Sequence, residues 1–110
     1  MNKSIKLRYE AQAKIIKAMA HPSRLLIIDE LHKQERCVGE LTEMIGADAS
    51  TVSKHLSILK NAGLVIDEKR GNCIYYNLRC VCMLDFIGCV ENVLIANADE
   101  NKKILKSCNR

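Results

Sequence analysis

The spacing of apolar residues changes at Gly63, and that change restricts the folds open to this chain more than any other feature. Before it, apolar residues recur three and four apart, as on one side of a helix; after it come runs of β-branched and aromatic residues. Leu7, Ala11, Ile15 and Ala18 mark a first helix over Ile5–Met19. Pro22 suits the first turn of a second, which carries Leu25, Leu26, Ile28 and Leu31 to Lys33. A third, Val38–Ile45, stops at Gly46; Asp48 then caps a fourth, Ala49–Ala62, which Gly63 closes. Leu64-Val65-Ile66 and Ile74-Tyr75-Tyr76-Asn77-Leu78 read as strands, with the charged stretch Asp67–Asn72 as the turn of a hairpin. A last helix, Met83–Ala98, sets Phe86, Val90, Val93 and Leu94 on one side, and the tail beyond Asp99 is polar. Two helices joined by the tight Gly46-Ala47-Asp48 turn and followed by a hairpin make a winged helix-turn-helix, mainly α with a β-hairpin wing, in the order ααααββα.

A chain of 110 residues suits a single domain over 1–110 with a thin core, its helix-turn-helix at 38–62 and its wing at 64–78. Seventeen Lys and Arg against 13 Asp and Glu give a charge of +4, compatible with a polyanion partner but too small to demand one. Aromatic residues are 4% of the chain and Trp is absent, which argues against a stacking platform for single strands. No apolar run approaches the roughly 18 residues of a membrane span. Met1–Arg8 is charged without an apolar stretch behind it, so a cytoplasmic protein with no membrane partner is expected. There, six cysteines point to metal, redox chemistry or plain burial rather than to a disulfide framework. No Gly-rich phosphate loop, H-E-x-x-H or G-x-S-x-G occurs, so an enzyme is the weakest reading.

On the fourth helix, at about 100° per residue, Val52, Leu56 and Leu59 fall on one side. The opposite arc holds Lys60, Ser53, Ser57, Ser50, Asn61 and Lys54 in angular order, and no acid. Hydroxyls, an amide and ammonium groups are donors suited to base edges and phosphates. A solvated face is the plainer explanation of such an arc, but its place after a tight turn and before a hairpin with Lys69-Arg70 favours DNA. Ser50, Thr51, Ser53, Lys54, Ser57 and Lys60, with Lys69 and Arg70 on the wing, are the candidate DNA contacts, the wing pair for phosphates. His55 lies nearer the core side and reads as a structural histidine.

Ala20-His21-Pro22-Ser23-Arg24-Leu25, Cys37-Val38-Gly39-Glu40-Leu41 and the run Ser50-Thr51-Val52-Ser53-Lys54-His55-Leu56-Ser57-Ile58-Leu59-Lys60-Asn61-Ala62-Gly63-Leu64-Val65 resemble the arsenic-repressor (ArsR/SmtB) family. Lys69-Arg70-Gly71-Asn72 with Tyr75-Tyr76 is similar to its wing, and the likeness covers residues 15 to 95. The resemblance implies a homodimer, joined through its first and last helices (1–19 and 83–98 here), that binds double-stranded operator DNA and releases it when an effector binds.

Cysteines stand at 37, 73, 80, 82, 89 and 108, with no C-x-x-C pair and no C₂H₂ spacing. The family's soft-metal sensors carry C-x-C at the start of the third helix; here that place reads Cys37-Val38-Gly39, one thiol short. Its zinc sensors use histidines and carboxylates on the last helix, and no histidine follows position 55. The thiols that remain favour trivalent arsenic or another thiophilic ion over hard cations. Cys37, Cys82 and Cys89 are the candidate effector ligands and Cys80 the next, with no cofactor needed for DNA binding itself. Cys82 and Cys89 share a helix face but stand about 10.5 Å apart along the axis. Sulfurs on one ion lie roughly 4 Å apart, so the pair needs a bent helix start, a third sulfur or the partner protomer. A thiol redox or reactive-sulfur sensor, and a constitutive or architectural DNA-binding module with packed cysteines, remain open beside the ion sensor.

Overall fold

The described residues, 1–97 of the computed structural model, form five helices and a three-stranded antiparallel sheet. The order is α1 (Lys3–Met19), α2 (Pro22–Lys33), β1 (Arg36–Cys37), α3 (Val38–Ile45), α4 (Ala49–Asn61), β2 (Val65–Arg70), β3 (Cys73–Leu78) and α5 (Cys82–Ala96). Contacts divide them into two units, Met1–Cys80 and the segment from Val81 onward. Cys108 and Ala98, the expected end of the last helix, lie outside the described residues.

Local chemistry sets the helix ends. Asn2 Oδ1 accepts the Ile5 N–H at 2.9 Å, His21 Nδ1 accepts that of Ser23 at 3.0 Å, and Asp48 Oδ1 accepts that of Thr51 at 2.8 Å. Each satisfies one of the amides a helix start leaves without a partner. Gly46 ends α3 at φ 76°, a left-handed conformation that costs a side-chain-bearing residue more than glycine. At the end of α4, Gly63 (φ 81°) donates to Lys60 O at 2.9 Å and Leu64 to Leu59 O at 2.9 Å. That pair of bonds is a Schellman motif, and Leu59 and Leu64, both buried, supply its apolar contact. The motif fixes the angle at which the chain leaves α4 for β2.

In the first unit, α4 packs against α1, α2, α3 and β2. Val52, Leu56 and Leu59 are fully buried with Ile27 and Ile28 of α2 and Leu41 of α3. The sheet runs β1-β3-β2, with Val65 opposite Leu78, Arg70 opposite Cys73 and Cys37 opposite Tyr75. Two features depart from the sequence reading. β1 has only two residues, too few to show any periodicity. β2 continues through Asp67–Arg70, expected as turn, and the hairpin closes in the two residues Gly71 and Asn72. Three of the four charged side chains of that stretch find ionic partners: Asp67 meets Lys60, and Arg70 meets Glu35 and Glu68.

Helix α1 is buried only at Ala18 and Met19, leaving Ile5, Leu7, Tyr9, Ile15 and Ile16 exposed. In the second unit α5 begins one residue before the expected Met83, so Cys82 is its first residue; Phe86, Val90, Val93 and Ile95 are exposed on it. No helix of the described residues is long and apolar enough to cross a membrane.

Leu56 has no exposed surface. Leu56→Ala is expected to lower the unfolding free energy by about 2–5 kcal/mol in urea at fixed protein concentration, through lost transfer energy and the cavity left behind. A loss under about 1 kcal/mol would contradict the placement of this side chain in a close-packed core.

Candidate nucleic-acid interface

With Val52, Leu56 and Leu59 turned inward, Ser50, Thr51, Ser53, Lys54, Ser57 and Lys60 all lie on the exposed surface of α4. They differ in how far neighbours already engage them. The Ser50 hydroxyl donates to Asp48 Oδ1 at 2.8 Å, joining the Thr51 N–H on the same oxygen. The Thr51 amide first and the Ser50 hydroxyl second hold the Asp48 carboxyl below its usual range. Lys60 Nζ donates to Asp67 Oδ2 of β2 at 2.9 Å, a bond that raises the lysine pKa and ties the end of α4 to the wing. Ser53, Lys54 and Ser57 make no side-chain hydrogen bond or ion pair within the described residues.

On the wing, Lys69 stands opposite Ile74 and makes no ion pair within the described residues. Arg70 is held on several sides. Its two terminal nitrogens donate to both oxygens of Glu35, one at 2.9 Å, and Nη2 also reaches Glu68 Oε2 at 3.1 Å. The guanidinium lies 5.0 Å from the centre of the Tyr75 ring. Asn77 Nδ2 donates to Glu35 Oε2 at 3.2 Å, so Glu35, just before β1, clamps both wing strands. The bond from Arg70 and then that from Asn77 hold the Glu35 carboxyl below its usual value. Of the two wing cations expected to face phosphate, Arg70 is therefore already paired within the protein, which its position in the sequence does not disclose. Arg70 and Glu35 are 35 residues apart, beyond any local spacing rule.

Two other clusters support the reading helix. Arg24 Nη1 lies 3.2 Å from His55 Nδ1, and the His21 and His55 ring centres are 4.4 Å apart. Burial first, then the charges of His21 and Arg24, lower the His55 pKa. At the start of α3, the Glu40 carboxylate accepts the Cys37 backbone N–H at 3.2 Å and binds Arg36 Nη1 at 3.1 Å. Arg36 in turn reaches Glu30 at 3.4 Å, joining α2 to α3. Sequence spacing offers one signal for this group, Glu40 in the third position of a helix whose start is marked by Cys37.

The thiols divide between the units. Half-buried Cys37 occupies the N-cap of α3, exposed Cys73 begins β3, and exposed Cys80 ends the first unit. Cys82 and Cys89 are exposed on α5 in the second unit. No three His, Cys, Asp or Glu side chains among the described residues come together as a metal-binding group.

A tight turn between α3 and α4, an acid-free exposed arc on α4 and a hairpin pinned beside it define a winged helix-turn-helix DNA-binding protein. Residues 21–67 match the model of the bacterial regulatory protein, arsR family. The chain is 34% identical over 99 residues to the nodulation protein NolR of Rhizobium meliloti, covering 88% of this chain and 81% of that one. It is 31% identical over 80 residues to the transcriptional repressor SdpR of Bacillus subtilis, covering 73% and 89%. Its fold is similar to the solution structure of the homodimeric winged helix-turn-helix DNA-binding domain of Mb0332 from Mycobacterium bovis, described as a possible ArsR-family regulator. The TM-score is 0.72, with 28% identity and coverage of 84% and 86%. The chain belongs to the ArsR/SmtB family of transcriptional regulators, a DNA-binding regulator rather than an enzyme.

The carboxyl groups of Glu35 and Asp48 are depressed, so they stabilise the fold above their unfolded pKa values, and that contribution disappears as pH falls through the lower folded values. Below about pH 4.3 the parent is expected to lose stability more steeply than Glu35→Gln or Asp48→Asn, neither of which can titrate there. Urea midpoints measured across that range check this; parallel curves for parent and both variants would contradict it.

Proposed function

We propose that the chain is a homodimeric repressor that holds operator DNA in its effector-free form and lets go when a thiol-directed effector engages α5. The observation that carries DNA reading is the exposed, acid-free arc of α4. Ser50, Thr51, Ser53, Lys54, Ser57 and Lys60 enter the major groove, while Lys69 and Arg70 meet phosphates, Arg70 exchanging part of its Glu35 and Glu68 pairing to do so. The exposed apolar side chains of α1 and α5 support a dimer through those helices, as does the homodimeric state named for the Mb0332 domain. Two reading helices then address half-sites about 34 Å apart. Repression, by occupying a promoter, agrees with the activity named for SdpR. DNA binding needs no cofactor in this scheme, and the protein works in a reducing compartment beside the DNA.

The effector is trivalent arsenic or another thiophilic ion, with Cys82 and Cys89 as ligands. Their separation of about 10.5 Å along a straight helix is met by a third sulfur or by sulfurs of both protomers on one ion. Cys37, in the other unit, and Cys80 are each tested by their own serine variant. A second reading, a disulfide or polysulfide formed on oxidation, is favoured by the exposure of Cys82 and Cys89 on α5.

Ser53→Glu with Ser57→Glu is expected to abolish binding to duplexes selected from a random pool by the parent, while circular dichroism and dimer mass stay unchanged. Parent-like affinity in that double variant would overturn the reading helix. Cys89→Ser is expected to bind DNA like the parent yet fail to release it on arsenite addition under strict reduction. In the parent, release should weaken binding about 5- to 150-fold, the usual span of allosteric coupling. Release by oxidised sulfur donors alone would establish the redox reading, and full release in the serine variant would move the site off Cys89.

A further inference from the structure

The cations of the first unit fall into two classes. Lys60 and Arg70, on the wing side, and Lys33 and Arg36, on the α2–α3 side, each have a carboxylate partner. Lys14 and Lys17 of α1 and Arg24 of α2 have no ion pair within the described residues. These three converge. With Asn61 of α4 they line a groove of about 350 Å³ between α1, α2 and α4, whose apolar lining includes Ala18 and Ile58. No acid lines it. Lys14 and Lys17, three residues apart on α1, share a helix face. Arg24 is steadied by His55 at 3.2 Å, and its buried Nε has no hydrogen-bond partner.

The groove lies at a defined edge of the reading helix. In projection the exposed arc of α4 runs from Lys60 to Lys54, and Asn61 falls about 20° from Lys54. The Lys60 edge is joined to the wing through Asp67. The Asn61 edge meets the groove. A helix about 10–12 Å across fills a major groove about 12 Å wide, so elements at its two edges each meet the backbone of one strand. At the wing edge the charges of Lys60 and Arg70 are already offset by carboxylates and Lys69 alone is unpaired among the described residues; at the other, three cations stand without a carboxylate.

We infer that the groove formed by Lys14, Lys17, Arg24 and Asn61 is a phosphate-binding site that clamps the DNA strand on the side of the reading helix away from the wing. Arg24 offers a steadied guanidinium, the two lysines supply mobile charge, and the Asn61 amide donates a further hydrogen bond. The site adds affinity without reading sequence. It rests on the DNA-binding assignment above.

The test is the salt dependence of binding to a mixed-sequence duplex, measured by anisotropy for the parent, Lys14→Ala/Lys17→Ala, Lys14→Arg/Lys17→Arg and Ser53→Glu/Ser57→Glu. Each phosphate released from a protein cation changes the slope of log K against log salt by about 0.9. The alanine pair is expected to flatten the slope by about 0.9 for each protomer engaged, and the arginine pair to keep the parent slope. Dimer mass and unfolding midpoint, measured alongside, should match the parent in both. A parent slope in the alanine pair overturns the site while leaving the reading helix intact. A parent slope combined with saturable binding of inorganic phosphate to the groove, seen as shifts of the Lys14 and Lys17 amide resonances, assigns it to a free anion and equally overturns the DNA clamp. A parent that binds no duplex defeats the DNA reading itself and the clamp with it.

Discussion

The fully buried stripe Val52–Leu56–Leu59 is the constraint on which the rest of the first unit depends. It rotates α4 so that its serines and lysines face outward, and it anchors α4 among α1, α2 and α3. The same helix also directs the wing, because the Schellman motif at Gly63 uses Leu59 from the stripe and Leu64 from the start of the hairpin. Reading surface and wing are thus fixed by one packed element. A substitution that loosened the stripe would change the angle between the two surfaces as well as the stability of the fold.

Electrostatics adds a second layer of order. Glu35 holds Arg70 and Asn77 on neighbouring strands, and Asp67 holds Lys60, so the wing is pinned to β1 at its tip and to α4 at its base. Pairs this exposed contribute little to stability. Their effect is on orientation, and it tempers the charge the wing presents to a polyanion. The cations on the opposite edge of α4 carry no such restraint.

What the sequence makes legible is the part governed by short-range rules. Gly46, Asp48, Gly63 and the stripe of α4 each act within a few residues, so residue type and spacing are enough to place them. The structure adds what depends on partners distant in the chain. β1 exists because Arg36 and Cys37 pair with Tyr76 and Tyr75, about forty positions on. The extension of β2 through Asp67–Arg70 draws on ionic partners on α4 and before β1, so a stretch with turn-like composition forms a strand. The Arg24–His55 contact, which crosses 31 residues, shows the same limit. Helical spacing puts His55 toward the core, and only the fold supplies its partner.

The first helix connects stability to function. Of its 17 residues α1 buries only Ala18 and Met19, while Ile5, Tyr9 and Ile16 stay exposed. Most of the stability of a helix in a protein comes from packing of its apolar face. In the proposed homodimer a second copy would cover that face, and a thin single-chain core would gain apolar area on the same event. In that scheme DNA affinity would depend on protein concentration through dimer formation as well as on the reading surface. Lys14 and Lys17, in the last turns of α1 next to buried Ala18, are held where the helix meets the first unit. The end of α1 that carries the proposed phosphate site is thus its anchored end, and its remaining apolar length is exposed.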